Sequence, residues 1–556
     1  MTFRTSAVRA ALAITIGAAA LGVAACTAPG TAKQTAAPQA GTSDIDEKPR
    51  EQLKPGGTLR LSIQQWISQY NVGQVDGTQG DGQDILALTQ PELWFRDEHG
   101  SISRNPDVLA SAEVTATSPR QVVTYRINPK ATWSDGTPIT WRDFETQWKT
   151  RNGSAKAFTV SSTAGYDLIT GVAKGADDRE VKVTFGTPHA DWQALFDPLL
   201  PGSALDTPQK FNTGWIEKIP VWAGPWKIGS LDKTAQTITV VPNDKYWGVK
   251  PVLGSIIFRA LDSSAITDAY LNKEIDQAPA RTPETYKRLS GAPGTAIRIG
   301  SRWDETHLTL GDAGPLADVR VRQAISIGLD RAAIARAAST DLPFKLQPLG
   351  NHFFMPAQSG YRDNSADYGR FDPAKAKKLL DEAGWTSKSE GAPRVRNGKA
   401  LTLTYIVNSG GSNDIPQLVQ NLLGKIGIGV ELKQVPRNEF FEKYVNTGTF
   451  DLVSFRNVDV LFPSDNLPTF RTGGEQNYGK VAAPEVDALL AKAAAETDPA
   501  AARDLYNKAD ALIWKNGHSV ELFQTPQISA VRSGLANYGA WGLRSSHQYT
   551  ETGWLK

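Results

Sequence analysis

Cysteine is nearly absent from this 556-residue chain: Cys26 stands alone, so no intramolecular disulfide can form. The fold must then hold through packed core, which a chain of this length can build across about three domains of ~150 residues. Long apolar runs are missing as well. The stretch from Ala10 to Val23 is too short to span a bilayer, and no later segment reads as a transmembrane helix. Nor is there a charge excess. Sixty Lys and Arg face 58 Asp and Glu, and loss of Arg4 and Arg9 with a leader would leave 58 against 58. That balance excludes a nucleic-acid binder and a polybasic membrane-surface protein, both of which depend on concentrated positive charge. Catalytic signatures are also lacking. There is no Gly-x-Ser-x-Gly elbow, Walker A loop or Gly-x-Gly-x-x-Gly turn, and His99, His189, His307, His352, His518 and His547 are scattered without metal-ligand spacing. The expectation is no enzyme, no cofactor and no metal site.

What is present begins with the position of Cys26. Arg4 and Arg9 form a positive start, the apolar stretch follows, and Val23-Ala24-Ala25-Cys26 closes it. This string resembles the lipobox of bacterial lipoproteins. The resemblance implies a signal peptide over residues 1–25 and a diacylglyceryl group on Cys26. It places the mature protein on the extracytoplasmic face of the cell membrane, held by lipid. From Thr27 to about Lys54 the chain is rich in Ala, Thr, Pro, Gly and Gln and reads as a tether, with folding expected to begin near Gly57.

The rest mixes strand and helix periods. Thr58 to Ile63, Val122 to Ile127, Thr237 to Val241 and Leu401 to Ile406 alternate apolar and polar residues as half-buried strands do. Asp372-Pro373 gives an N-cap with proline in the first turn, and Ala383-Gly384 closes that helix. Asp318 and Asp330 are placed to cap two further helices. In the segment Tyr125 to Phe144, a strand leads through Ser134-Asp135-Gly136 to a helix entered at Thr140, with Asp143 at capping-box spacing. The loop Asp76 to Asp84 has a calcium-binding flavour without an EF-hand's residue order, and a flexible turn is expected there.

Trp133-Ser-Asp-Gly-Thr-Pro-Ile-Thr-Trp-Arg-Asp-Phe144 resembles the signature of the family 5 extracellular solute-binding proteins, the oligopeptide, dipeptide and nickel receptors of ABC importers. Ala223-Gly-Pro-Trp226, Pro242 to Gly248, Asn272 to Asp276, Asp318 to Ala324 with Asp330-Arg331, Asp372 to Leu380 and Ala383-Gly-Trp385 continue the resemblance in order. It implies an α/β, two-lobed periplasmic-binding-protein-like fold with an extra subdomain in lobe I. By position, residues 26–55 are the lipidated tether, 56–86, 214–305 and 522–556 lobe I, 87–213 the inserted subdomain and 306–521 lobe II. Closure is expected at His307 to Leu310 and Ser519 to Phe523. The implied partners are a small ligand, most naturally a peptide, and an ABC permease complex, with the protein acting as a monomer. A different role on the same fold is an envelope lipoprotein serving cell-wall glycolipid synthesis rather than import.

Peptide-binding members carry a lobe II acid that pairs with the peptide's ammonium. The corresponding stretch here is Arg456-Asn-Val-Asp459-Val-Leu-Phe-Pro463, which keeps Asp459 and replaces a tryptophan by Arg456. Asp459 is thus either a ligand anchor or the partner of Arg456 in an internal salt bridge. Fifteen tryptophans suit both core and cleft. Trp141, Trp148, Trp247 and Trp385 are expected to pack. Trp66 and Tyr70, after the first strand, and Trp303, before a hinge strand, are the expected aromatic contacts of the ligand.

Overall fold

The computed structural model describes residues 43–389, 392–409, 413–458, 462–545 and 549–556. Cys26 and Asp459 lie outside the described residues.

Three cores organise the chain. In the first, Thr58–Ile63 runs parallel to Ser255–Ala260, followed across the sheet by Thr237–Pro242 and Trp226–Asp232. Alternation buries Leu59, Leu61 and Ile63 against Ile238, Val240, Ile256 and Phe258, as the period of two demands. The second core belongs to an antiparallel sheet, Leu109–Ala116, Val122–Ile127, Glu180–Phe185 and Ile169–Lys174 in spatial order. Tyr125, Phe144 and Phe196 fill it, with Trp141, Trp148 and Trp247 packed at its margin. The third surrounds a five-stranded sheet ordered Gly429–Val435, Thr402–Asn408, Leu452–Val458, Asp304–Leu310 and Ser519–Gln524. Helices Val319–Gly328, Arg331–Ala338, Pro373–Glu382 and Asp414–Gly424 cover one face of it, and Trp385 is buried there.

The caps form where the sequence puts them. Thr140 and Asp143 make a reciprocal capping box on Trp141–Arg151, and Asp143 also accepts from Gly202 N at 2.9 Å, tying that helix to the following loop. Asp372 accepts from Lys375 N at 2.9 Å, and Gly384 takes the positive φ of 83° that ends the turn beyond Pro373–Glu382. Asp318 and Asp330 cap the helices expected of them.

Two short links join the third sheet to a three-stranded sheet of Gln277–Pro279, Gln527–Arg532 and Thr295–Gly300. Thr295–Gly300 and Gln527–Arg532 pair antiparallel, as do Asp304–Leu310 and Ser519–Gln524, so the chain passes between sheets at residues 301–303 and 525–526. The expected hinge strands are therefore ladder-bonded inside the five-stranded sheet, and the links lie just outside them.

Two expectations are corrected here. The tether does not extend to residue 55: Ile45 and Leu53 are buried, Asp44 bridges Ala540, and Leu53–Lys54 pairs with Gly553–Leu555. These partners lie some 500 residues away in sequence, so local composition carried no sign of them. Nor is Asp76 to Asp84 a flexible turn. Val75–Gly77 is a 3₁₀ turn and Gly80–Thr89 a helix, drawn into regular structure by burial of Ile85, Leu86 and Leu88 despite the low helix propensity of its glycines.

Candidate ligand cleft

A cavity of about 370 Å³ opens where the strand Thr58–Ile63 ends and both links pass. Its walls come from distant parts of the chain: Leu61 to Ile63, Asp81 and Asp84 of the helix Gly80–Thr89, Arg96, Gln277, Arg302, Trp303, Gln527 and the segment Trp541 to Arg544. An opening at the carboxyl end of a parallel strand pair is the usual place for a ligand in an α/β sheet. The wall is of mixed character. Arg544 is positioned by Glu47 and Glu98 at 2.8 and 2.9 Å, while Asp81 accepts from Gln64 N at 2.7 Å. Tyr538 and Tyr549 keep their protons far above the usual phenol range because they are buried. Acid, base, amide and aromatic surface thus meet in one recess.

Of the expected aromatics, Trp303 lines this cavity from within the first link, only 2 % exposed. Trp66 is half-buried against the first core and is not part of the wall. Tyr70 is corrected. Its backbone N donates to Trp215 O at 3.3 Å, and Gln69 bridges Ile216, so the chain turns inward and the Tyr70 ring joins the core.

Arg456 finds a partner the sequence did not suggest. Its Nε lies 2.8 Å from Asp304 Oδ1 and its second nitrogen also bonds that carboxylate. Asp304 is 1 % exposed, with Arg302 Nε 3.7 Å away on the cleft side. Burial pushes the Asp304 carboxyl above its usual range, and Arg456 is the main influence pulling it back. Arg456 also borders a second cavity of about 180 Å³ on the third sheet, walled by Phe441, Phe455, Phe470 and Tyr478 and floored by His307 and Glu521.

Residues 106–479 match the family described as bacterial extracellular solute-binding proteins, family 5 Middle. The chain belongs to that family. It is 38% identical over 522 residues to the oligopeptide-binding protein OppA of Mycobacterium tuberculosis strain H37Rv, covering 93% of this chain and 88% of that one. It is also 28% identical over 385 residues to the probable monoacyl phosphatidylinositol tetramannoside-binding protein LpqW of Mycobacterium tuberculosis strain H37Rv, covering 63% of this chain and 59% of the other. Among solved structures it is similar to a periplasmic EDTA-binding protein EppA, with a TM-score of 0.82 and 26% identity over 92% of this chain and 98% of that one. A lactococcal OppA holding an endogenous peptide in the closed conformation shares the fold at a TM-score of 0.70 and 20% identity over 90% of this chain and all of that one. The family 5 fold is the two-lobed α/β arrangement. Among the described residues, no helix is long and apolar enough to cross a membrane.

Proposed function

We propose that this family 5 protein is a lipid-anchored receptor on the extracytoplasmic face of the cell membrane, which captures an oligopeptide between its lobes and delivers it to an ABC permease. The observation that carries the peptide is the cavity at the links, where Arg302, Arg96 and Arg544 share a wall with Asp81, Asp84, Gln277 and Gln527. A zwitterionic chain with amide groups meets complementary charge at both ends and hydrogen-bonding partners along its length. The extent of the likeness to a mycobacterial oligopeptide-binding protein supports the same reading. On this reading the lobes are residues 43–86, 214–305 and 522–556 against 306–521, with 87–213 as the inserted subdomain. Cys26 carries the lipid, and the receptor acts as a monomer.

Asp459 is proposed to hold the peptide's amino terminus, since Arg456, its nearest candidate partner in sequence, is engaged by Asp304. Calorimetry with a free and an N-acetylated peptide tests this. Asp459→Asn should weaken binding by about 1.5–3 kcal/mol, and acetylation should cause a similar loss. The two together should cost little more than either alone. Full additivity would remove the pairing. A glycolipid, rather than any peptide, in native mass spectra of the gently purified protein would favour the envelope role instead.

A further inference from the structure

The polar floor of the second cavity is a cluster that peptide capture does not use. Glu305 and His307 sit two residues apart on Asp304–Leu310 and so share a face of the sheet, and His307 lies directly across the ladder from Glu521 on Ser519–Gln524. His307 Nδ1 is 2.9 and 3.0 Å from the two Glu305 oxygens. One donor atom from each of Glu305, His307 and Glu521 lies within 4.8 Å of the other two, and all three residues are buried. A further imidazole approaches Glu521 from a loop, outside that three-residue group. His352 Nε2 stands 3.5 Å from Glu521 Oε1, with the His352 side chain fully enclosed.

Two details mark this as more than a hydrogen-bond network. His352 Nδ1 is held at 2.6 Å by Asp510, which also accepts from His352 N, fixing the proton on Nδ1 and leaving the Nε2 lone pair aimed inward. That Nε2 and Glu521 Oε2 are both buried without a hydrogen-bond partner. Two unpartnered electron-rich atoms in a closed space call for something positive nearby. The surrounding charge says the same. Glu305, Glu521 and Asp510 bring three carboxyl groups, the first two hydrogen-bonded to one another, against the nearby Arg331 guanidinium, which donates to the carbonyls of Gly369, Leu349 and Glu521 and to Ser365 Oγ. Buried negative charge of this kind is held only with protons or a cation.

We propose that Glu305, His307, Glu521 and His352 form a divalent metal site, suited to Zn²⁺, with Asp510 as the positioning residue behind His352. Two imidazoles and two carboxylates are a borderline donor set that favours zinc over calcium or magnesium. Bonds of about 2.1 Å in a tetrahedral site separate the donor atoms by roughly 3.4 Å; the Glu305–His307 contacts of 2.9 and 3.0 Å and the His352–Glu521 contact of 3.5 Å are close to that spacing, and an ion would have to draw His352 toward Glu305 and His307 to complete the set. The Asp510–His352 bond is the carboxylate–imidazole support that metal-bound histidines commonly have. The 180 Å³ cavity, which reaches His307 and Glu521, gives the ion a way in. A bound ion would fasten the strands Asp304–Leu310 and Ser519–Gln524 to the loop that carries His352.

The test uses the full mature chain, stripped with a chelator and dialysed. Zn²⁺ should bind at one equivalent by calorimetry and mass spectrometry, and Co²⁺ should give the intense visible bands of a tetrahedral site. His352→Gln and His307→Gln should each weaken Zn²⁺ binding at least ~100-fold, Asp510→Asn by roughly 10–100-fold, and His99→Gln not at all. Measurements on the unaltered protein need no variant to fold. No stoichiometric Zn²⁺ or Co²⁺ binding there would show that protons balance the cluster and would overturn the site. Binding that survives His352→Gln and His307→Gln in folded protein would place the ion elsewhere and overturn it equally.

Discussion

Replacing Arg456 by Met should destabilise the ligand-free protein. The change removes the guanidinium and keeps most of the stem, leaving the Asp304 carboxylate to its burial. Breaking a fully buried ion pair costs about 3–5 kcal/mol. Two features reduce that here: the Arg456 side chain is 39% exposed, so solvent already screens it, and Arg302 Nε at 3.7 Å still compensates the carboxylate in part. The expected loss is about 1–2 kcal/mol, and each kcal/mol corresponds to about 2–4 °C in the melting of a unit of 150–250 residues. The pH dependence has a definite sign. Burial already raises the Asp304 carboxyl, and without Arg456 it rises further. A raised carboxyl contributes stability below its unfolded value and loses it as pH climbs through its folded value. The deficit of Arg456→Met should therefore be smallest at the acid end of the carboxylate range and grow toward neutrality. Circular-dichroism melts of parent and variant across that range measure it, and adding Asp304→Asn should cost less than the sum of the two. Arg456→Met that melts like the parent at every pH yet loses ligand affinity would refute the internal pairing and make Arg456 a ligand contact.

Further outcomes are expected. Cys26→Ala should release the protein from membranes, and retention after a high-salt wash would require another anchor. Saturating peptide should shrink the radius of gyration in solution scattering and raise the melting temperature, since the closed cleft exists only in folded protein; an unchanged radius would remove lobe closure. Burial raises the carboxyl of half-buried Asp197 to about 6, with Leu93 N donating to it at 2.7 Å. Its folded value lies above its unfolded one, so it costs stability as pH rises from about 4 through 6. Asp197→Asn should then gain up to about 3 kcal/mol at pH 7.5 relative to pH 4, less whatever solvent access relieves. A pH-independent difference in denaturant midpoints would contradict this.

Local chemistry made much of the fold legible. Asp372-Pro373 and the Thr140–Asp143 pair announce helix starts because capping is settled within four residues, and Val122 to Ile127 announces a strand because its burial alternates. Trp303, placed before a hinge strand by the sequence, lines the cavity beside the first link. Long-range pairing was not legible. The acid that takes Arg456 is 152 residues upstream, and nothing beside either residue points to the other. The groups around Glu521 come from 305 and 307, and from 352 and 510 far along the chain, so a lone Glu-x-His pair was all that sequence spacing offered. Tyr70 was misread for a related reason. What turns it inward is the bond to Trp215, and residues 69–70 alone do not show that the chain meets 215–216.

The pairing of Leu53–Lys54 with Gly553–Leu555 has a mechanical consequence. Pull applied through the amino-terminal end of the folded domain meets the Asp44–Ala540 bridge first, then the Lys48–Asn537 bond at 2.8 Å and then this two-residue ladder. All three clamp the incoming chain to its last twenty residues. A fusion attached at Lys556 would therefore emerge beside the strand Leu53–Lys54 and compete for space with the chain leading into it. Truncating the last few residues would loosen the seam that carries the load, although it removes nothing from the ligand cleft.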